Sequence, residues 1–305
     1  MATDAEVLKR GTGLLVIEAV NSNPNGDPDQ ESDPRMRLGD IGEISPVSFK
    51  RKLRDMVLNK TGPVWQSVTT KFNVDEKQFD IIERRDRKLE ELFALGSEEL
   101  QSRFWDARVF GSTVLQSNKN GEAKEPPKSK GKKVSSASFI TTGVVQFGLG
   151  ISVAPVEIQR HTWTNISPVQ EGKSRAMAPL GYRIVQHGVY TMPFFINPAM
   201  AGKSGCTPMD INVLLHLIPY AYSQTASCMR PDMRIRRAWY MQHKSALGSC
   251  PDYMLLEALQ PVKKADADKP SRCWEDYEVP SDLPAELKAR IEICTDLVKP
   301  LAAGA

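Results

Sequence analysis

Lys50, Arg51, Lys52 and Arg54 put four basic residues into five positions, and the only acid beside them is Asp55. Side chains of this kind grip phosphate: a guanidinium offers a planar fork to two oxygens, and an ammonium offers a point charge. A second candidate lies upstream in 20–29, VNSNPNGDPD, where short amides and turn residues can aim backbone N–H groups and side chains at the same ligand. A third candidate is the polar excursion 157–182, which carries Arg160, Trp163, Lys173, Arg175, Met177 and Leu180. Apolar side chains on a basic hairpin can unstack a single-stranded nucleic acid while the cations hold its backbone. The tract 117–138 adds six lysines and almost nothing to bury; it reads as a solvated loop with a possible electrostatic hold on a second strand.

Chemistry of other kinds finds little support. No Ser/His/Asp or Cys/His arrangement stands out, and no phosphate-binding G-x-x-x-x-G-K-[ST] occurs. Five cysteines lie about 20 residues apart without a C-x-x-C pair, and four histidines are scattered, so neither a disulfide framework nor a cofactor is expected. Net charge is only +3, so the positive charge matters through its local clustering rather than its total. No apolar run approaches the roughly 20 residues of a membrane span. Residues 1–10 lack a signal-like stretch, and the expected location is the cytoplasm.

The elements that must position these residues follow from periodicity. Residues 13–20, GLLVIEAV, read as a buried strand, followed by a loop over about 21–45. Ser45-Pro46 then opens a helix as N-cap and first-turn proline, with Phe49, Leu53, Met56 and Val57 on one face. Lys50, Arg51 and Arg54 lie on the adjoining face, expected to be exposed, and Lys52 points elsewhere. Further helices are expected over 74–95 and 97–105, and strands over 106–116, 142–155, 183–196 and 234–243. A helix starts at Thr207-Pro208, with an interruption at Pro219. A short helix over 254–259 and a C-terminal helix over 284–298 complete the reading. The order strand, helix, strand, strand, helix, strand with long insertions is that of a single α+β domain, ferredoxin-like as in RNA-recognition modules. Strand patterns resume on both sides of 117–138, so no domain boundary is expected there.

Three of these segments, in the same order, resemble one family: 20–29 after the opening strand, the helix core FKRKLRDMV at 49–57, and RRAWYMQHKSALGSCPDYMLLEAL at 236–259. FWDARVFG at 104–111 adds weaker support. Together they resemble the backbone subunit of type I CRISPR Cascade complexes, the "Cas seven" group, closest to its I-C and I-B branches. The resemblance implies a palm with a projecting β-hairpin thumb, here 157–182, and RNA contacts of the palm from Asn21, Asn25 and Asp27 in the first loop and from Lys50, Arg51 and Arg54 on the helix. It further implies copies lined head to tail along a guide CRISPR RNA (crRNA), held through phosphate and ribose without base readout, and presented to target DNA or RNA. The implied partners are the crRNA, the target, other copies of the chain and other Cascade subunits, with no membrane and no catalysis. In related backbone subunits a loop aspartate with metal cleaves target RNA; Asp27, Asp29, Asp33 and Asp40 share such a loop here, so metal-assisted RNA cleavage is the alternative. A general RNA-binding protein outside CRISPR is the third reading.

Overall fold

The structure, a computed structural model, describes residues 7–84, 86–114, 139–166 and 177–299. Its centre is strand β1 (Gly11–Ser22). The chain then passes through β2 (Ile41–Ile44), α1 (Pro46–Leu58), α2 (Pro63–Phe72) and α3 (Trp105–Phe110). Next come β3 (Gly150–Pro155), β4 (Ile158–Ile166) and β5 (Met177–Ile196). The last major elements are α4 (Pro208–Leu217), β6 (Asp232–His243), α5 (Asp252–Leu259) and β7 (Ile291–Asp296). One antiparallel sheet carries most of them in the order β7-β6-β1-β5-β3-β2, with β4 pairing to the first half of β5.

β1 shows no alternation because both of its faces are covered. Leu15, Ile17 and Ala19 join Phe49, Leu53 and Val57 of α1 and Ile211, Leu214 and Leu217 of α4 in the main core. On the opposite face Leu14 packs with Trp239, Leu255, Leu259 and Leu283, and Val16 packs with Val189 and Tyr277. The chain after β6 therefore closes the face that an RNA-recognition module leaves open. Gly13 permits the tightest contact of the sheet, since a Cβ there would fall 2.0 Å from the Phe194 ring.

Caps set α1 and α4. Ser45 accepts from Ser48 N at 3.2 Å with Pro46 in the first turn, and Thr207 and Asp210 form a reciprocal capping box around Pro208. A 3-10 turn, Ile218–Tyr220, follows at Pro219.

Five secondary-structure expectations fail. The loop expected over about 21–45 ends instead in β2, because pairing with β3 and full burial of Ile44 draw its last residues into the sheet. Instead of a helix over 74–95 there is a 3-10 turn, Glu76–Gln78, an irregular stretch, and a short helix Leu89–Ala94. Carboxylates compete for the backbone there: Asp106 accepts from Ile82 N at 2.8 Å and Glu83 N at 3.3 Å, and Asp80 accepts from Ile81 N at 2.8 Å. The strand expected over 106–116 begins instead as α3, whose six residues are all buried, so neither period shows. Gly111, at φ +83°, ends that helix and starts the strand Gly111–Val114. The single strand expected over 142–155 is divided into Phe139–Thr142, Val145–Phe147 and β3. At the C-terminal end only Ala285–Lys288 is helical, and β7 takes the sheet edge beside β6. The Lys-rich tract 117–138 lies outside the described residues.

Candidate nucleic-acid interface

Near the end of β1 stands Asn21, an exposed residue at φ +43°, a left-handed conformation that Asn tolerates; Ser22 still pairs with Val185. The following loop folds on itself through Asp27 N to Asp33 O at 2.7 Å, Ser32 N to Asp27 O at 2.8 Å and Arg35 N to Asn25 O at 2.8 Å. Asn25 is buried; its Oδ1 accepts from Ser45 N at 2.8 Å, tying the loop to the cap of α1. Asp27 accepts from Asp29 N at 3.2 Å and pairs with Arg35 at 3.5 Å. Asn25 and Asp27 thus shape the loop, while Asn21 faces solvent.

The basic face of α1 is divided between surface and core. Arg51 is half exposed and bonds Asp55 and the Glu83 carbonyl, the latter at 2.8 Å. Lys50 lies 5.3 Å from the Phe110 ring centre; burial and the charge of Arg54 lower its pKa. Arg54 is only 3% exposed, its Nε donating to Asp106 at 2.9 Å and its Nη2 to Glu83 at 2.9 Å. The expectation of an exposed Arg54 is therefore overturned: helical spacing groups these cations correctly, but the face they share rests on α3 and the 80–83 stretch. Lys52 turns the other way and is 7% exposed, with Nζ 5.0 Å from the Tyr222 ring centre. Burial, then the charge of Arg230, pushes its pKa down to about 8. Arg230 donates through Nε to Asn23 O at 2.9 Å, and Asn23 N donates to Met229 O at 2.7 Å.

β4 and β5 form an antiparallel arm with Arg160 opposite Arg183. Both guanidiniums converge on Asp33 of the first loop, Arg160 through Nε at 3.0 Å to one oxygen and Arg183 through Nε at 3.5 Å to the other; Arg183 also bonds Glu31 at 2.9 Å. The base of the arm is thereby locked to the loop. Farther out Trp163 is 57% exposed, with its ring 4.2 Å from that of Tyr182 and nearly parallel to that of His161 at 6.3 Å. Lys173 and Arg175 lie outside the described residues, as does the side chain of Met177.

The sequence reading brought the loop, α1 and the arm together but missed Asn23, Arg183 and Arg230, and gave Lys52 no role. Arg183 could have been found by running the hairpin register back from its tip. Arg230 carried no local signal, since 207 residues separate it from Asn23. Among the described residues no group of three His, Cys, Asp or Glu side chains is placed to hold a metal ion.

Residues 9–282 match the family model described as CRISPR-associated protein Cas7. The chain belongs to the Cas7 family. No curated protein matches it. Among solved structures it aligns with "CRISPR RNA-guided surveillance complex, pre-nicking" at 12% identity, covering 75% of this chain and 77% of that one, with a TM-score of 0.42. A second "CRISPR RNA-guided surveillance complex" aligns at 12% identity over 74% and 68%, TM-score 0.36. "Cryo-EM structure of the Type III-B Cmr-beta bound to cognate target RNA" aligns at 10% over 77% and 61%, TM-score 0.38.

Two motifs of this Cas7-family chain hold its fold. In FWDARVFG, Asp106 receives Arg54, while Arg108 makes a two-pronged pair with Asp210 of α4 at 2.7 and 3.0 Å. After β6, Ser249 N donates to His243 Nδ1 at 3.0 Å in a turn containing Gly248 at φ +98°. That contact assigns the proton to Nε2, which faces Thr12 Oγ1 at 3.0 Å; Thr12 in turn donates to Asp252, which also pairs with Arg10. The turn, the start of β1 and α5 are fastened together by this chain of bonds.

Glu18, on the closed face of the sheet, anchors a further network. Burial alone would raise its carboxyl, but hydrogen bonds from His187 and Arg236 and the charges of Arg236 and Arg234 outweigh it and hold the pKa at about 2. A carboxylate depressed from its ordinary 4.5 adds stability that is complete above pH 4.5 and disappears as pH falls from there toward 2. The loss is on the order of 3 kcal/mol. Urea unfolding between pH 6 and pH 3 is expected to show this acid limb, and Glu18→Gln is expected to be less stable at pH 6 with a flatter limb. A limb of unchanged slope in Glu18→Gln would assign the acid sensitivity to other groups.

Proposed function

We propose that this Cas7-family chain is a non-catalytic backbone subunit of a type I CRISPR Cascade complex, of the I-C/I-B branch. It polymerises head to tail along a crRNA and presents it for pairing with target DNA in antiviral defence. The elements β1, α1, β3, β5, α4 and β6 form a ferredoxin-like palm, a reading supported by the sheet order β6-β1-β5-β3. The β4–β5 arm is its thumb. Other copies of the chain and other Cascade subunits are its protein partners, the cytoplasm its location, and no cofactor takes part.

The observation that carries this reading, beyond the family, is the lock between arm and loop at Asp33. It fixes the arm, with its exposed Trp163, against the first loop, and Asn25 ties that loop to the cap of α1; arm, loop and α1 are taken as one binding surface. With the other sheet face closed by residues after β6, RNA bound to the palm runs along this surface. Lys50, Arg51 and Arg160 supply charge toward the sugar-phosphate chain, and a grip of this type ignores base identity. Lys173, Arg175 and Met177 extend the same role toward the thumb tip.

Offered a CRISPR transcript, the purified chain is expected to form ordered assemblies whose length follows the RNA, seen by electron microscopy. A monomer that ignores the transcript refutes the role. Replacing Lys50 and Arg51 together with Ala is expected to lower the salt dependence of RNA binding by a slope of roughly 1.4, about 0.7 per phosphate contact on a single strand. An unchanged slope removes those two from the path. With complementary RNA and Mg²⁺ no cleavage is expected; products at regular spacing would establish a nuclease instead.

A further inference from the structure

Lys52 and Arg230 present an electrostatic problem that the protein alone does not solve. Lys52 is nearly buried, and among the described residues it has no carboxylate partner and no hydrogen bond; its ammonium faces the Tyr222 ring. Arg230 spends Nε on the Asn23 carbonyl and leaves Nη1 and Nη2 without a partner among the described residues. Asp55, an acid whose charge acts on Lys52, already pairs with Arg51. A half-sealed cation without a counter-charge, beside a second cation, weakens the fold. Close by, Asn23 Oδ1 and Tyr222 Oη are sealed from solvent without partners, whereas Lys52 Nζ is not among the sealed atoms. The ammonium is therefore buried along its stem and open at its tip.

We propose that the junction of α1, the first loop and the 221–230 segment is a phosphate site, in which Lys52 Nζ and the free edge of the Arg230 guanidinium clasp one phosphate group. The fork supplies two parallel donors and the ammonium a third, which suits a group with several anionic oxygens rather than a carboxylate. Asn23 sets the position of Arg230 through its backbone and belongs to the loop that begins at Asn21. The inference rests on the proposed RNA-binding role to the extent that the phosphate is taken to be a phosphodiester of the bound RNA. Free inorganic phosphate offers the same chemistry. The site differs from the Lys50 and Arg51 contacts, which lie on the opposite flank of α1 toward α3.

The test uses the full chain stripped of nucleic acid, with Lys52→Met and Arg230→Met variants. Binding of a CRISPR transcript is measured over a salt series. Each variant is expected to bind about tenfold more weakly, with a slope reduced by roughly 0.7. Thermal unfolding in sodium phosphate is compared with sodium chloride at equal ionic strength. A phosphate-specific rise in Tm is expected for the wild type and not for the variants, and Lys52→Met is expected to melt higher than wild type in chloride. If the wild type binds the transcript and both variants keep its slope and affinity, the phosphate site is overturned while the backbone role stands. If the wild type binds no RNA, the backbone role falls and the thermal comparison alone decides the site: equal phosphate effects in all three proteins overturn it.

Discussion

Arg54→Ala is expected to lower the stability of the fold by about 3–5 kcal/mol, a loss read as a shift of the urea midpoint without a change in slope. The reason is the carboxylate it abandons. Asp106 is fully buried and would keep only two backbone N–H donors, from Ile82 and Glu83, against the desolvation of a full charge. Glu83 would lose a partner as well, and the 80–83 stretch that Arg54 and Asp106 jointly hold would loosen. Arg54→Met combined with Asp106→Asn is expected to cost less than the sum of the single changes, because the buried charges disappear together. A single variant within 0.5 kcal/mol of the wild type would show that the pair is solvated. The motif resemblance alone would have placed Arg54 on the ligand and foreseen an effect on RNA with none on folding.

Trp163→Ala is expected to weaken RNA binding by about 1–3 kcal/mol, the usual contribution of one stacked base, while leaving both stability and salt slope close to wild type. The indole is largely exposed and rests on Tyr182, so little core is lost with it. Trp163→Phe keeps a stacking face and is expected to retain most of the affinity. This combination separates stacking from charge: a fall in slope would mean that the arm had shifted its cations, and unchanged affinity would remove Trp163 from the RNA path.

How far the sequence reached depended on whether a signal was local. The strand at 13–20 and the helix behind Ser45-Pro46 were legible because apolar periodicity and capping act over a few residues. Thr207-Pro208-Met209-Asp210 declared its helix for the same reason. α3 was misread as a strand because complete burial erases both periods, and the 284–298 segment because β7 is held by pairing with β6, about 50 residues away in sequence. At the candidate site, charge clustering grouped the cations on one helix but could not tell a cation facing water from one facing Asp106. The partners that decide this, Asp33 for Arg160 and Asn23 for Arg230, sit 127 and 207 residues distant. Residue type announces an affinity for phosphate; only tertiary placement says which side chain remains at liberty to express it.

β5 is continuous over 20 residues, pairing with β4 through its first nine and with β1 from Val185 onward. A strand of that length measures about 65 Å and contains no hinge between the projecting part and the part inside the core. The arm's heading is consequently inherited from the coil of the central sheet. Substitutions deep in that sheet, far from the arm itself, would re-aim it like the bearing of a mast stepped in a warped keel.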